Sequence, residues 1–182
     1  MKDLGVHHYR FSLGWARLCP TGYCTVHDSI EGSGTNELGI QHYKDFIAKL
    51  KAADIEPFVT LYHWDLPQGL QDERGGWADT DADSELGINT AFKNYAKLCF
   101  ESFGDNVKQW ITFNEAQIVA DLGYADGIFA PGIRVSHTLT LVRYLTVTVR
   151  DDYTSHGTRC HRGSVLPRHL LWRFDADRLK LT

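Results

Sequence analysis

Apolar residues recur at helical spacing in two long stretches of the chain. Ile40, Tyr43, Ile47 and Leu50 fall three or four positions apart, on one face of a helix predicted over residues 38–53, with Asn36 or Glu37 near its start. Phe92, Tyr95, Leu98, Cys99 and Phe103 repeat the pattern over residues 88–103, and Gly104 follows as a C-cap. Three short apolar runs, at 7–15, 57–62 and 107–113, have the length and aromatic or β-branched content of buried strands. Residues 1–6 read as the end of a helix entering the first of them. The stretches 21–37 and 63–77 carry the Gly, Ser, Asn, Asp and Pro content of loops. Strand, helix, strand, helix, strand is the order of parallel βαβ units joined right-handedly. Past Pro131-Gly132 the pattern changes: residues 138–149 alternate β-branched and polar side chains, and residues 154–182 show little periodicity.

Composition narrows the function without naming it. A chain of 182 residues, 43% hydrophobic and 23% charged, suits one globular domain. A formal charge of -4 supplies no basic field for phosphates, which argues against nucleic acid as a partner. Cys19, Cys24, Cys99 and Cys160 are too few for a disulfide-built scaffold and lack the paired spacing of a zinc site, so the redox compartment stays open. The opening residues hold no apolar run long enough for a signal peptide or a membrane span.

Chemistry concentrates at two strand ends. Thr60-Leu61-Tyr62-His63-Trp64-Asp65-Leu66-Pro67 and Trp110-Ile111-Thr112-Phe113-Asn114-Glu115 each place polar groups just past an apolar run. Parallel α/β folds build their sites at the C-terminal ends of strands, where the diverging loops leave a crevice. Read alone, Glu115 is a rim carboxylate, Asn114 and Asp65 are turn formers, His63 is a structural hydrogen-bonder and Trp64 is core.

Together with Tyr9-Arg10-Phe11-Ser12 and the Gly75-Gly76-Trp77 turn, these motifs resemble glycoside hydrolase family 1, the β-glucosidase, lactase-phlorizin hydrolase and klotho-like family, over about residues 1–132. The resemblance implies an α/β fold, about strands two to four of a (β/α)8 TIM barrel with their helices, a barrel that this chain does not close. It divides the chain into a partial glycosidase domain at 1–134 and an unmatched tail at 135–182, which reads as an alternative exon or a shifted reading frame.

By the same resemblance Glu115 is the general acid that protonates the departing glycosidic oxygen and then the base that activates water, with Phe113 and Trp110 as part of an apolar wall. Asn114 binds the sugar's 2-hydroxyl, and His63 the sugar at the nonreducing end. Trp64 reads equally as pocket wall or as core. Arg10 keeps the nucleophilic carboxylate ionised, since an opposite charge nearby favours the charged form. Retention of configuration needs that second carboxylate about 5–5.5 Å from the first. The family carries it in a Thr-Glu-Asn-Gly-type strand, and no Glu follows Glu115 here. Ala116 also stands where the family usually has Pro, and Gly14 where Ser or Ala is usual.

The expected partner is a small β-glycoside or oligosaccharide, with no cofactor and no metal. Oligomeric state stays open, and the resemblance allows a secreted or a cytosolic protein. Three functional readings follow: a piece of a retaining β-glycosidase, inactive alone; a catalytically dead member that binds sugar or protein; or an inactive product of a truncated transcript.

Overall fold

The computed structural model describes residues 1–134, 161–162 and 169–173. A 3-10 turn at Lys2–Leu4 leads into strand β1, His8–Ser12. The predicted strand reached residue 15, but after Leu13, whose N–H still reaches the Thr60 carbonyl at 3.0 Å, side chains take the N–H groups of Gly14 and Trp15. Gly14 donates to the Tyr43 hydroxyl at 2.8 Å and Trp15 to Asp65 Oδ2 at 3.1 Å. With its N–H diverted from any neighbouring strand, Trp15 opens a short helix α1, Trp15–Leu18.

Helix α2, Glu37–Ala52, buries Ile40, Tyr43, Ile47 and Leu50, the face read from the sequence. Burying each such side chain contributes about 1.5–3 kcal/mol over leaving it in water. Strand β2 is Glu56–Tyr62. The following stretch, expected to be loop throughout, contains helix α3, Gln68–Arg74, and a 3-10 turn, Gly76–Ala78. Helix α3 has one buried side chain, Leu70, and so leaves no repeating apolar face to detect. Helix α4, Ile88–Phe103, matches its expected span. Gly104 is its C-cap, as expected, with right-handed torsions (φ -60°) and an N–H bond to the Phe100 carbonyl. Strand β3, Gln109–Asn114, runs into helix α5, Ala116–Ile118, which continues as a π-helical segment, Val119–Ala125.

Strands β1, β2 and β3 are parallel and adjacent in that order, with Ser12 level with Thr60 and Tyr62 level with Phe113. Their C-terminal ends therefore open on one side of the sheet. Beyond β3 the direction reverses: strand β5, His169–Arg173, pairs antiparallel with β3, and strand β4, His161–Arg162, pairs with β5. The described residues thus form an open sheet that closes no barrel. The alternating stretch at 138–149 lies outside the described residues.

Between sheet and helices sits an aromatic core. Trp15 stacks on Tyr95 with ring centres 4.9 Å apart and meets Phe92 edge-on at 5.5 Å; Trp77 and Phe92 both reach Phe113, at 5.1 and 5.0 Å. Such pairs add roughly 0.5–1.5 kcal/mol each beyond their buried area. The Tyr95 hydroxyl donates to the Leu61 carbonyl at 2.8 Å, fastening α4 to β2 one residue before the strand ends. Cys19 and Cys24 are joined in a disulfide, and Cys99 is a buried thiol pushed upward in pKa by that burial. Cys160 lies outside the described residues. No helix among the described residues is long and apolar enough to cross a membrane.

Candidate active site

The parallel register brings the expected residues to one end of the sheet. Arg10 on β1 extends across β2, where its Nε donates to Thr60 Oγ1 at 3.1 Å, and its Nη2 donates to Asn114 Oδ1 at 2.6 Å on β3. These bonds use two of the guanidinium's five N–H groups. Asn114 is buried and Arg10 is exposed. Arg10 was expected beside a carboxylate; among the described residues its side-chain partners are a hydroxyl and an amide.

Glu115 follows Asn114 at the start of α5 and is half-buried. Its backbone is left-handed, φ 48° and ψ 56°, a conformation unfavourable to a residue with a Cβ by about 1–2 kcal/mol. Trp64 is left-handed too, at φ 74°. Among the described residues Asp54 is the one other non-glycine residue with positive φ, and it lies in the exposed turn before β2. Both left-handed residues thus stand at strand ends, Trp64 just after β2 and Glu115 just after β3.

Trp64 is 41% exposed, so it lies at the surface and not in the core. Its indole N–H donates to the Asn114 carbonyl at 2.9 Å, tying the β2 exit to the β3 exit. The rings of His63 and Phe129 flank it at 5.9 and 5.7 Å. His63 is exposed, and its backbone N–H is held by Asp65 Oδ1 at 3.2 Å. Asp65 is a turn residue, as read from the sequence, with both oxygens occupied by backbone donors.

Trp110 and Phe113 are both buried. Trp110 packs edge-on against Phe100 of α4 at 4.9 Å and Phe113 lies within the aromatic core, so they brace β3 from behind.

Beside Trp64 opens a cavity of about 380 Å³, lined by Tyr62, Trp64, Leu66, Gln68, Gln71, Tyr124 and Phe129 with neighbouring backbone. Its size falls in the range of small-molecule sites. Neither Asn114 nor Glu115 lines it, and Trp64 is the residue it shares with the strand-end cluster. Burial raises the pKa of the Tyr62 and Tyr124 phenols.

Sequence reasoning missed two members of this neighbourhood. Thr60 lay inside the recognised motif but read as strand interior, and Phe129 carried no signal beyond being an aromatic before Ala130-Pro131-Gly132. Among the described residues no group of three or more His, Cys, Asp or Glu could hold a metal ion.

A family model described as glycosyl hydrolase family 1 matches residues 1–157, beyond the point where the motifs end. The human lactase-like protein is 45% identical over 138 residues, 76% of this chain and 22% of that protein. Human klotho is also 45% identical, over 139 residues, 76% of this chain and 12% of that protein. Among solved structures, the β-glucosidase of Thermotoga maritima in complex with deoxynojirimycin superposes with a TM-score of 0.70 at 37% identity, covering 85% of this chain and 31% of that one. The chain thus spans less than a third of the length of each.

Proposed function

This chain belongs to glycosyl hydrolase family 1, and from that membership we propose that it supplies the acid/base half of a retaining β-glycosidase, with a β-glucoside-type sugar as substrate. In this reading Glu115 gives its proton to the leaving glycosidic oxygen and recovers one from the water that completes hydrolysis. Asn114 hydrogen-bonds the sugar's 2-hydroxyl, a contact that strengthens as the ring approaches an oxocarbenium ion and so lowers the barrier. His63 and Trp64 hold the sugar's far edge. Arg10, with unused N–H groups beside Asn114, faces the position of the attacking carboxylate.

That carboxylate belongs to a strand outside this sequence, so the 182 residues alone do not turn over. The observation that carries the reading is the Asn114–Glu115 pair: a buried amide pinned by Arg10, followed at once by a carboxylate in a strained left-handed turn.

The test is hydrolysis of an aryl β-glucoside and of a β-glucoside with a poor leaving group. The purified 182-residue chain is expected to show none. A longer form carrying the second carboxylate is expected to lose on the order of 10²–10⁴-fold in rate with the poor leaving group on Glu115→Gln. Turnover by the 182 residues, abolished by Glu115→Gln, would refute the division between two halves.

One observation favours a second reading, a sugar-binding member without turnover. The binding side, Arg10, Asn114 and Trp64, is already linked by hydrogen bonds in the absence of a second carboxylate. Saturable binding of a β-glucoside by a longer form that never cleaves it would select this reading.

A further inference from the structure

Thr60 is wholly buried on β2, and its hydroxyl oxygen accepts Arg10 Nε at 3.1 Å. Its branched Cβ restricts the hydroxyl to few rotamers. Arg10 is an exposed, long side chain, and Thr60 is the fixed point that sets the plane of its guanidinium. From that plane Nη2 reaches Asn114 Oδ1 at 2.6 Å.

An arginine has donors only, so the atom of Asn114 facing it must be the amide oxygen. The Asn114 NH2 group is thereby turned away from Arg10. Among the described residues none accepts from that NH2.

We propose that Thr60 is a positioning residue: acting through Arg10, it locks the Asn114 amide so that the site presents a donor, and selects sugars carrying a hydrogen-bond acceptor at the 2-position. This rests on the reading of Asn114 as the contact to the 2-hydroxyl. A hydroxyl offers lone pairs to the NH2; a 2-deoxy sugar offers nothing, and a 2-ammonium sugar offers only further donors. With the amide free to turn over, the site would lose that preference.

The experiment uses the 182-residue chain with ¹⁵N-labelled arginine and asparagine. In the wild type the Arg10 Nε–H is expected to exchange slowly with water and the Asn114 NH2 to give two sharp, separate proton signals. Thr60→Val keeps the shape but removes the acceptor, and is expected to speed Arg10 Nε–H exchange about tenfold and to shift or broaden the Asn114 signals. Thr60→Ser, which restores the acceptor, is expected to return both toward wild type, a rescue that a purely structural role for the methyl group would not give. If Thr60→Val fails to fold, Arg10→Lys takes its place: it keeps the charge, loses the fork, and is expected to disturb the Asn114 signals in the same way.

Asn114 signals unchanged in Thr60→Val, or in Arg10→Lys where that variant stands in, would overturn the relay. A second arm titrates deoxynojirimycin and its 2-deoxy analogue into the longer form that carries the second carboxylate, with and without Thr60→Val. A preference for the first that shrinks in Thr60→Val supports the selection, and equal binding of both by the wild type overturns it. Failure to bind either sinks the sugar-site reading, while the relay is judged on the sugar-free spectra.

Discussion

Asp65 accepts the backbone N–H of Trp15 at 3.1 Å with one carboxylate oxygen, while its other oxygen takes the N–H of His63 at 3.2 Å. One side chain thereby starts helix α1 and shapes the turn that carries His63 and Trp64. Both oxygens are needed as acceptors, and an asparagine has only one. Asp65→Asn is expected to lower unfolding free energy by about 1–3 kcal/mol in a denaturant titration. It should also alter the emission of Trp64, which sits one residue away; a wild-type midpoint would count against this role.

Adjacent glycines with the same backbone sign should respond differently to the same substitution. Gly75 and Gly76 have φ of 76° and 61°, but a Cβ on Gly75 meets nothing within 4 Å, whereas one on Gly76 falls 2.7 Å from Leu66 Cδ2 and 2.8 Å from the Tyr124 hydroxyl. Gly75→Ala is expected to cost about 1 kcal/mol from the torsion alone. Gly76→Ala adds overpacking and is expected to cost about 2–4 kcal/mol. Thermal melts of the two variants check the order, and equal losses would show that the crowding relaxes.

The loop before α4 is organised by one buried carboxylate. Asp79, whose side chain is 4% exposed, receives Arg74 Nε at 3.1 Å and Nη2 at 3.2 Å, and also the N–H groups of Ile88 and Asp81. The bidentate bond to Asp79 is the main cause of the raised Arg74 pKa. Asp79→Ala strands two backbone donors and leaves Arg74 with only the Asp81 carbonyl, Ser84 Oγ and the Asp81 carboxylate, and is expected to cost about 1–3 kcal/mol. Arg74→Lys keeps the charge but not the fork and should cost less. Chemical denaturation of the two variants tests the ranking.

Alkaline pH should weaken the fold. Burial pushes the Tyr124 phenol up from its ordinary value of 10.0 to about 12, against the opposing pull of the Trp77 N–H. Between those values the unfolded chain has lost this proton and the folded chain keeps it, so stability is intact below about pH 10 and falls as pH rises toward 12. The loss from this one group is roughly 2–3 kcal/mol. Burial raises Tyr62, Tyr95 and the Cys99 thiol as well, and these act in the same direction. Tyr124→Phe forfeits the bonds to Trp77 N and Gln71 Oε1, both 3.2 Å, and is expected to be about 1–2 kcal/mol less stable at pH 8. It should nonetheless decline more gently above pH 10. Melting temperatures from pH 8 to 11.5 supply the comparison, and parallel curves would remove Tyr124 from the account.

Regular repetition made much of this protein legible from its residues. Helices α2 and α4 and the parallel order of β1, β2 and β3 follow from apolar spacing, because a helix or a strand must turn one periodic face to the core. The residues at the strand ends were found through motif resemblance, since Asn114, Glu115, His63 and Trp64 look unremarkable one at a time. Helix α3 escaped because it is short and buries a single leucine. The antiparallel strand β5 escaped because its pairing with β3 depends on a partner more than fifty positions away, for which local pattern holds no signal. Likewise, spacing along the chain says nothing of Arg10 crossing from β1 to Asn114 on β3. That contact exists because parallel strands lie side by side in register, and a hydrogen bond depends on distance and direction in space, which only the folded sheet supplies.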